Sequence, residues 1–278
     1  HIKTPTETSG FFCAYFCAMT FQYVTWEVND KVGYITLNRP EKKNALNEVF
    51  VSELKEAFQL AKDELHCKVV ILRSSGDVFC AGADLSYLQQ LQRNSLEENI
   101  ADSKHLMELF KTIYTFPKVV ISMVNGPAIA GGCGLATVTD YCFTTTESKF
   151  GYSEVKIGFV PAIVMVFLLR KIGEGKAKEI LLSGEIFNAD RAVNLGLTNA
   201  AMAADKLEAF TNDFAQKLIA RTSGQSVEMI KEMIAKVPEL SLNDALDYAA
   251  LSNAQMREKE DCKKGIDAFL NKTKITWD

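Results

Sequence analysis

The chain carries 278 residues, 47% of them hydrophobic, enough to bury the core of one large domain or of two unequal ones. Its formal charge of −4 offers no basic field to a phosphate backbone, which argues against a nucleic-acid partner. Seven cysteines without a C-x-x-C pair and three scattered histidines (His1, His66, His105) argue against a disulfide framework, a metal centre and a Ser-His-Asp triad, and a reducing cytoplasm is the expected setting. The chain opens at His1, and residues 1–18 read as an expression or start-site extension to be set aside from the fold. Their apolar run from Phe11 to Ala18 is far shorter than the roughly 20 residues that span a bilayer, and no later stretch reads as a membrane helix.

Two β-rich runs, Phe21–Val28 and Val32–Asn38, flank Asn29-Asp30-Lys31 and predict an antiparallel hairpin. Asn44 is placed to cap a helix in which Leu46, Val49, Phe50, Leu54, Ala57, Phe58 and Ala61 recur at helical spacing. Val69–Leu72 reads as a strand covered on both faces, followed by a polar loop, a helix over 96–115 and the strand Val119–Val124. A glycine cluster, a short helix over 135–139 and a strand over 141–144 continue the alternation, as stacked βαβ units would in a superhelix or doubly wound sheet. Beyond Pro161 the pattern predicts successive helices over 162–171, 175–183, 189–195, 203–221, 225–236 and 241–271. The apolar face of the first of these suits the core, and one side of it could line a ligand pocket. Residues 19–198 are therefore expected to form an α/β core, and 199–278 a helical region that caps a site or joins subunits.

Two segments carry chemistry. Phe79-Cys80-Ala81-Gly82-Ala83-Asp84-Leu85 follows a buried strand; its small residues let a ligand approach the backbone, although it also reads as an ordinary turn capped by Asp84. The stretch from Val124 through Gly131, Gly132 and Gly134 to Ala136 passes from strand to helix and presents free N–H donors. Neither G-x-G-x-x-G nor a lysine-bearing phosphate loop is satisfied, so no nucleotide cofactor is expected. Two such donor turns facing one another would make an oxyanion hole. Cations able to meet a phosphate-bearing ligand are Arg39, Lys42 and Lys43 early in the chain and Lys272 and Lys274 near its end.

F-C-A-G-A-D-L, V-N-G-P-A-I-A-G-G-C-G-L-A and F-G-Y-S-E-V-K-I-G-F-V-P, with L-N-R-P-E-K-K-N-A-L-N at 37–47, resemble in order and spacing the signature segments of the crotonase (enoyl-CoA hydratase/isomerase) family, over about residues 20–278. The resemblance implies an α/β superhelix of ββα units followed by a helical C-terminal region. It further implies an acyl-CoA thioester substrate, no cofactor beyond the coenzyme A of that substrate, no metal, and a homotrimer or dimer of trimers. By similarity the N–H groups of Ala83 and Gly131 hold the thioester oxygen, and Glu154 moves the proton. Lys42, Lys43, Ala45, Ala81 and Asp84 would lie near the adenine and phosphates of the coenzyme A, and Leu85, Gly132 and Gly134 are the further substrate-binding positions that the resemblance implies. Phe269 and Lys272 would approach the nucleotide from the C-terminal helix, either of the same chain or of a neighbouring subunit; a solvated helix face is the other reading of the lysines.

The sequence departs from the family at one position. Its hydratases carry a second glutamate where Gly134 stands here, and water addition needs one group to activate water and one to supply a proton. A single base suffices to move a double bond from the 3 to the 2 position, so isomerisation is expected ahead of hydration, and a non-catalytic acyl-CoA binder is the remaining alternative. The family's dienoyl isomerases and hydroxyacyl-CoA hydrolases have an aspartate where this chain has Ala162, so neither activity is expected. Tyr152 reads as a packing side chain or as a holder of water or acyl chain.

Overall fold

The computed structural model describes residues 21–277; the reading of 1–18 as an extension lies outside these residues. The hairpin forms as expected: β1 (Val24–Asn29) pairs antiparallel with β2 (Val32–Leu37). Asp30 and Lys31 take left-handed φ of 49° and 66°, the geometry that lets a tight turn follow the strand twist. A short 3-10 turn over Pro40–Lys42 leads to α1 (Glu48–Asp63). That helix is capped by Asn47, whose side chain accepts from Phe50 N, and not by Asn44. Asn44 is fully buried at φ 52°, where its Oδ1 accepts from Arg39 N and its Nδ2 donates to Ser75 O and Val78 O, tying two loops together.

Next come β3 (Val69–Ser74), α2 (Leu85–Leu91), α3 (Leu96–Tyr114), β4 (Val119–Val124), the two-residue β5 (Ala128–Ile129) and α4 (Gly131–Thr137). The fourth helix begins four residues earlier than the glycine-poor stretch suggested, because close packing, not helix propensity, sets its start. They are followed by β6 (Tyr141–Thr145), β7 (Lys149–Gly151), α5 (Ala162–Ser183), β8 (Ile186–Asn188), α6 (Ala189–Leu195) and β9 (Ala200–Met202). Gly173, at φ 76° and ψ 167°, kinks α5 where the sequence suggested two helices. The chain ends in α7 (Ala204–Arg221), α8 (Gly224–Lys236), α9 (Leu242–Glu258) and α10 (Glu260–Leu270); the last two divide the helix expected over 241–271.

Six strands form the main sheet in the order β1-β2-β3-β4-β6-β9, parallel from β2 onward, and β5-β7-β8 form a small second sheet. The main sheet thus extends past residue 198, through β9. Side chains alternate across its central strands: Val70, Leu72 and Val120 pack with α1 and α3 on one face, while Val69, Ile71, Val119 and Ile121 pack with Leu207 and Ala215 of α7 on the other. The loops at the carboxyl ends of β3 and β4 consequently emerge side by side.

Candidate active site

The site is laced by short backbone ladders. Loop 43–46 runs along loop 81–84, with Ala81 N donating to Lys43 O (3.0 Å), Leu46 N to Gly82 O (2.7 Å) and Asp84 N to Leu46 O (2.9 Å). Loop 79–80 runs along β5, where Phe79 N donates to Pro127 O and Ile129 N to Cys80 O, both at 3.0 Å. Ala130 N then donates to Gly151 O (2.7 Å), three residues before Glu154. These ladders draw the Lys43–Ala45, Ala81–Asp84, Gly131 and Glu154 segments into one corner of the fold.

Within that corner the amide N–H groups of Ala83 and Gly131 have no partner among the described residues. In the 46–83 bridge Leu46 engages the residues either side of Ala83, which turns the Ala83 N–H away from it. Gly131 opens α4, so its N–H has no carbonyl a turn earlier. The two turns touch: a β-carbon on Gly82 (φ 94°) would stand 3.0 Å from Ala130 Cβ and 3.8 Å from Gly131 N. Close approach also explains Gly132, where a β-carbon would lie 2.2 Å from Cys80 O. Ala130 itself sits at φ 53°, ψ −129°, a region that side chains avoid, and this turn delivers Gly131 to its position.

Glu154 begins a 3-10 turn over Glu154–Ile157 and is 9% exposed. Its Oε2 is buried without a hydrogen-bond partner. Burial raises the carboxyl above its ordinary range, opposed by its own backbone N–H. The raised value makes the carboxylate a stronger base than an exposed glutamate. Tyr152 is fully buried with its hydroxyl 3.0 Å from Thr137 Oγ1, so it packs against α4, the first of the two roles suggested for it. Burial pushes the Cys80 and Cys133 thiols up to about 12, which removes both as nucleophiles.

The position opposite in sequence expectation, Gly134, is not an open space. A β-carbon there would lie 2.2 Å from Val164 Cγ1, 2.7 Å from Val164 Cβ and 3.2 Å from Phe110 Cε1. Neither side chain stood out in the sequence beyond a helical apolar pattern.

The other expected residues divide. Lys42 and Lys43 are exposed, Ala45 is buried and Ala81 half-buried, all on the paired loops; Leu85 projects from the start of α2 at 79% exposure. Asp84 caps α2 through Ser86 N, and its buried Oδ2 stands 2.8 Å from Arg39 Nη1 as an ion pair. Arg39, expected as a phosphate contact, is instead buried, lies over the Tyr23 ring and donates to Ala45 O. Its charge is committed to the loop. Phe269 is 84% exposed on α10, which packs on α8 and α9, so Phe269 and Lys272 are not brought to this corner within one chain. Lys171 gave no sequence signal; its Nζ donates to Thr137 O and Thr139 O, capping the carbonyl end of the helix that begins at Gly131.

Residues 27–278 match the family model described as enoyl-CoA hydratase/isomerase. A Thermus thermophilus relative named "Putative enoyl-CoA hydratase" is 39% identical over 87% of this chain and 95% of its own length. The "Crotonyl-CoA hydratase" of Syntrophomonas wolfei is 30% identical over 93% of this chain and 99% of its own. Among solved structures, an enoyl-CoA hydratase from Shewanella pealeana superposes with a TM-score of 0.87 at 29% identity, covering 92% of this chain and 96% of that one. The architecture is accordingly the crotonase fold, and the chain belongs to the enoyl-CoA hydratase/isomerase family.

Proposed function

We propose that this enzyme binds an enoyl-CoA thioester, holds the developing enolate oxygen with the Ala83 and Gly131 N–H groups, and moves protons with Glu154 alone. In the preferred reaction Glu154 takes a proton from C2 of a 3-enoyl-CoA, the electron pair delocalises through the thioester into a dienolate, and the same proton returns at C4 to give the 2-enoyl isomer. Two preorganised donors at the oxygen contribute roughly 3 kcal/mol each to the transition state. The observation that carries this reading is the buried Glu154 carboxylate, whose Oε2 has no partner and no cation among the described residues, on the segment bonded through Gly151 O to the turn of Gly131, with two unpartnered amides at Ala83 and Gly131 and apolar side chains filling the space at Gly134.

Hydration of 2-enoyl-CoA is the second reading, favoured by the names of the relatives. Incubation with 3-enoyl-CoA and with 2-enoyl-CoA separates the two, with water addition followed by mass, deuterium exchange at C2 followed in deuterated water, and the conjugated 2-enoyl isomer followed by its absorbance. Conversion of the first without water addition to the second supports isomerisation, and rapid gain of water by the second supports hydration. Coenzyme A binding with neither product would make the chain a non-catalytic binder.

The coenzyme A contacts proposed are the paired loops of Lys42, Lys43, Ala45, Ala81 and Leu85. Phe269 and Lys272 of a neighbouring subunit would complete them in a homotrimer or dimer of trimers. Exposed apolar side chains on α9 and α10, among them Leu246, Leu251, Ile266, Phe269 and Leu270, support assembly through the C-terminal helices. Free cysteines at 67, 80, 133, 142 and 262 suit a reducing compartment such as the cytoplasm, and no described helix is long and apolar enough to cross a membrane.

A further inference from the structure

We infer that Val164 is the residue that selects the reaction: it occupies the space a side chain at position 134 would need, and so bars a second carboxylate. This rests on the reading of Glu154 as the proton carrier and adds the cause of its solitude. Val164 is 5% exposed on the first turns of α5, the helix that follows the Glu154 turn. That end of the helix is fixed by Ala162 N donating to Val160 O (2.8 Å) and Met165 N to Pro161 O (2.9 Å).

The obstruction cannot be relieved by a rotamer change. The contact of 2.7 Å from an added β-carbon is to Val164 Cβ, an atom fixed by the backbone, and a β-branched side chain has few rotamers to exchange. Phe110 closes the remaining side at 3.2 Å, and it is itself fully buried and stacked on Phe167 with ring centroids 6.0 Å apart. Introducing a glutamate at 134 alone therefore forces a backbone or helix shift, whereas removing the Val164 side chain clears the two nearest atoms at once. Position 134 and position 164 are coupled, and the side chain at 164 decides whether a second proton-handling group can exist at 134.

Four proteins test this: the parent, G134E, V164G and G134E/V164G. Each is followed by thermal unfolding, by C2 proton exchange and by the mass of the product from 2-enoyl-CoA. The expected result is that G134E unfolds at lower temperature and gains no water addition. The double variant should recover stability relative to G134E and add water roughly 10²-fold faster than it. In that product the water oxygen bonds C3, one carboxylate takes its proton and the other delivers a proton to C2, with no change of oxidation state.

The inference is overturned if G134E folds as stably as the parent and adds water by itself. It is equally overturned if the double variant folds and exchanges the C2 proton but adds water no faster than G134E. Should the double variant not fold, the coupling is read from G134A/V164G against G134A and V164G singly, and additive losses there refute Val164 as the obstacle. The steric claim is also read apart from catalysis: G134A should lose stability that G134A/V164G regains. A parent protein that exchanges no C2 proton while this stability coupling holds would sink the proposed function and leave the steric inference standing.

Discussion

Arg39 Nη1 and Asp84 Oδ2 stand 2.8 Å apart, both buried, directly beneath the loop that carries Ala83. The pair clamps the capped start of α2 to the Pro40–Ala45 turn, since Arg39 also donates to Ala45 O at 3.0 Å. D84A removes a helix cap and leaves a buried guanidinium unpaired, and should cost about 3 kcal/mol in denaturant unfolding. Asp84 is held below the usual carboxylate range, first by the Ser86 hydroxyl and then by Ser86 N–H and Arg39, against the opposing effect of burial. Its stabilisation is therefore present above the unfolded carboxyl value, about 3.9, and is lost as pH falls through the depressed folded value. In D84A this acid-linked part of the unfolding profile should disappear.

Glu154→Gln keeps the shape and removes the base. Turnover should fall roughly 10²- to 10⁴-fold with acyl-CoA affinity retained. In the parent the rate should drop as pH falls through the raised carboxyl value. The stability sign is opposite to that of Asp84: a carboxyl raised on folding binds more protons in the native state, so its contribution is full below the unfolded value and is lost as pH rises through the folded one. E154Q should thus be more stable than the parent at neutral pH, with the difference vanishing in acid, measured as Tm against pH.

The Ala130 backbone, at φ 53° and ψ −129°, predicts an asymmetric response. A130G relieves strain and should raise stability by about 1 kcal/mol. A130V should destabilise the turn and lower turnover together, because Gly131 depends on it. Equal stability of A130G and A130V in urea unfolding would contradict this.

Asn44 predicts a loss from within the loop bracket. N44A removes three hydrogen bonds, leaves buried backbone groups unsatisfied and should cost about 3 kcal/mol by urea unfolding. Because Lys43 O and Leu46 hold the Ala81–Asp84 loop, N44A should also weaken acyl-CoA binding in calorimetry.

Much of this architecture was legible in the sequence. The apolar runs at 69–72 and 119–124 lie in a doubly covered sheet, where a strand needs no polar face. The glycines at 82 and 132 mark close backbone approach, which a sequence declares because a larger residue does not fit there. The strands β5, β7, β8 and β9 were not legible; at two to three residues each they carry no periodicity and exist through pairing with distant partners. The choice of Asn47 over Asn44 as cap was equally hidden, since both are asparagines before a helix and only the Ser75 and Val78 carbonyls decide between them. Arg39 misled for a related reason: a cation in a candidate phosphate stretch looks free until Asp84, far along the chain, is folded beside it. Val164 read as core, which it is, but its effect on position 134 depends on how α5 packs over α4 and has no signature in either segment alone.

The most direct test of the account is exchange of the C2 proton of a saturated acyl-CoA in deuterated water, which isolates enolate formation from double-bond movement and from water addition. The parent protein should wash deuterium into C2, and E154Q should abolish the exchange while still binding the thioester. Exchange that persists undiminished in E154Q, or a parent that binds acyl-CoA and exchanges nothing, would contradict it.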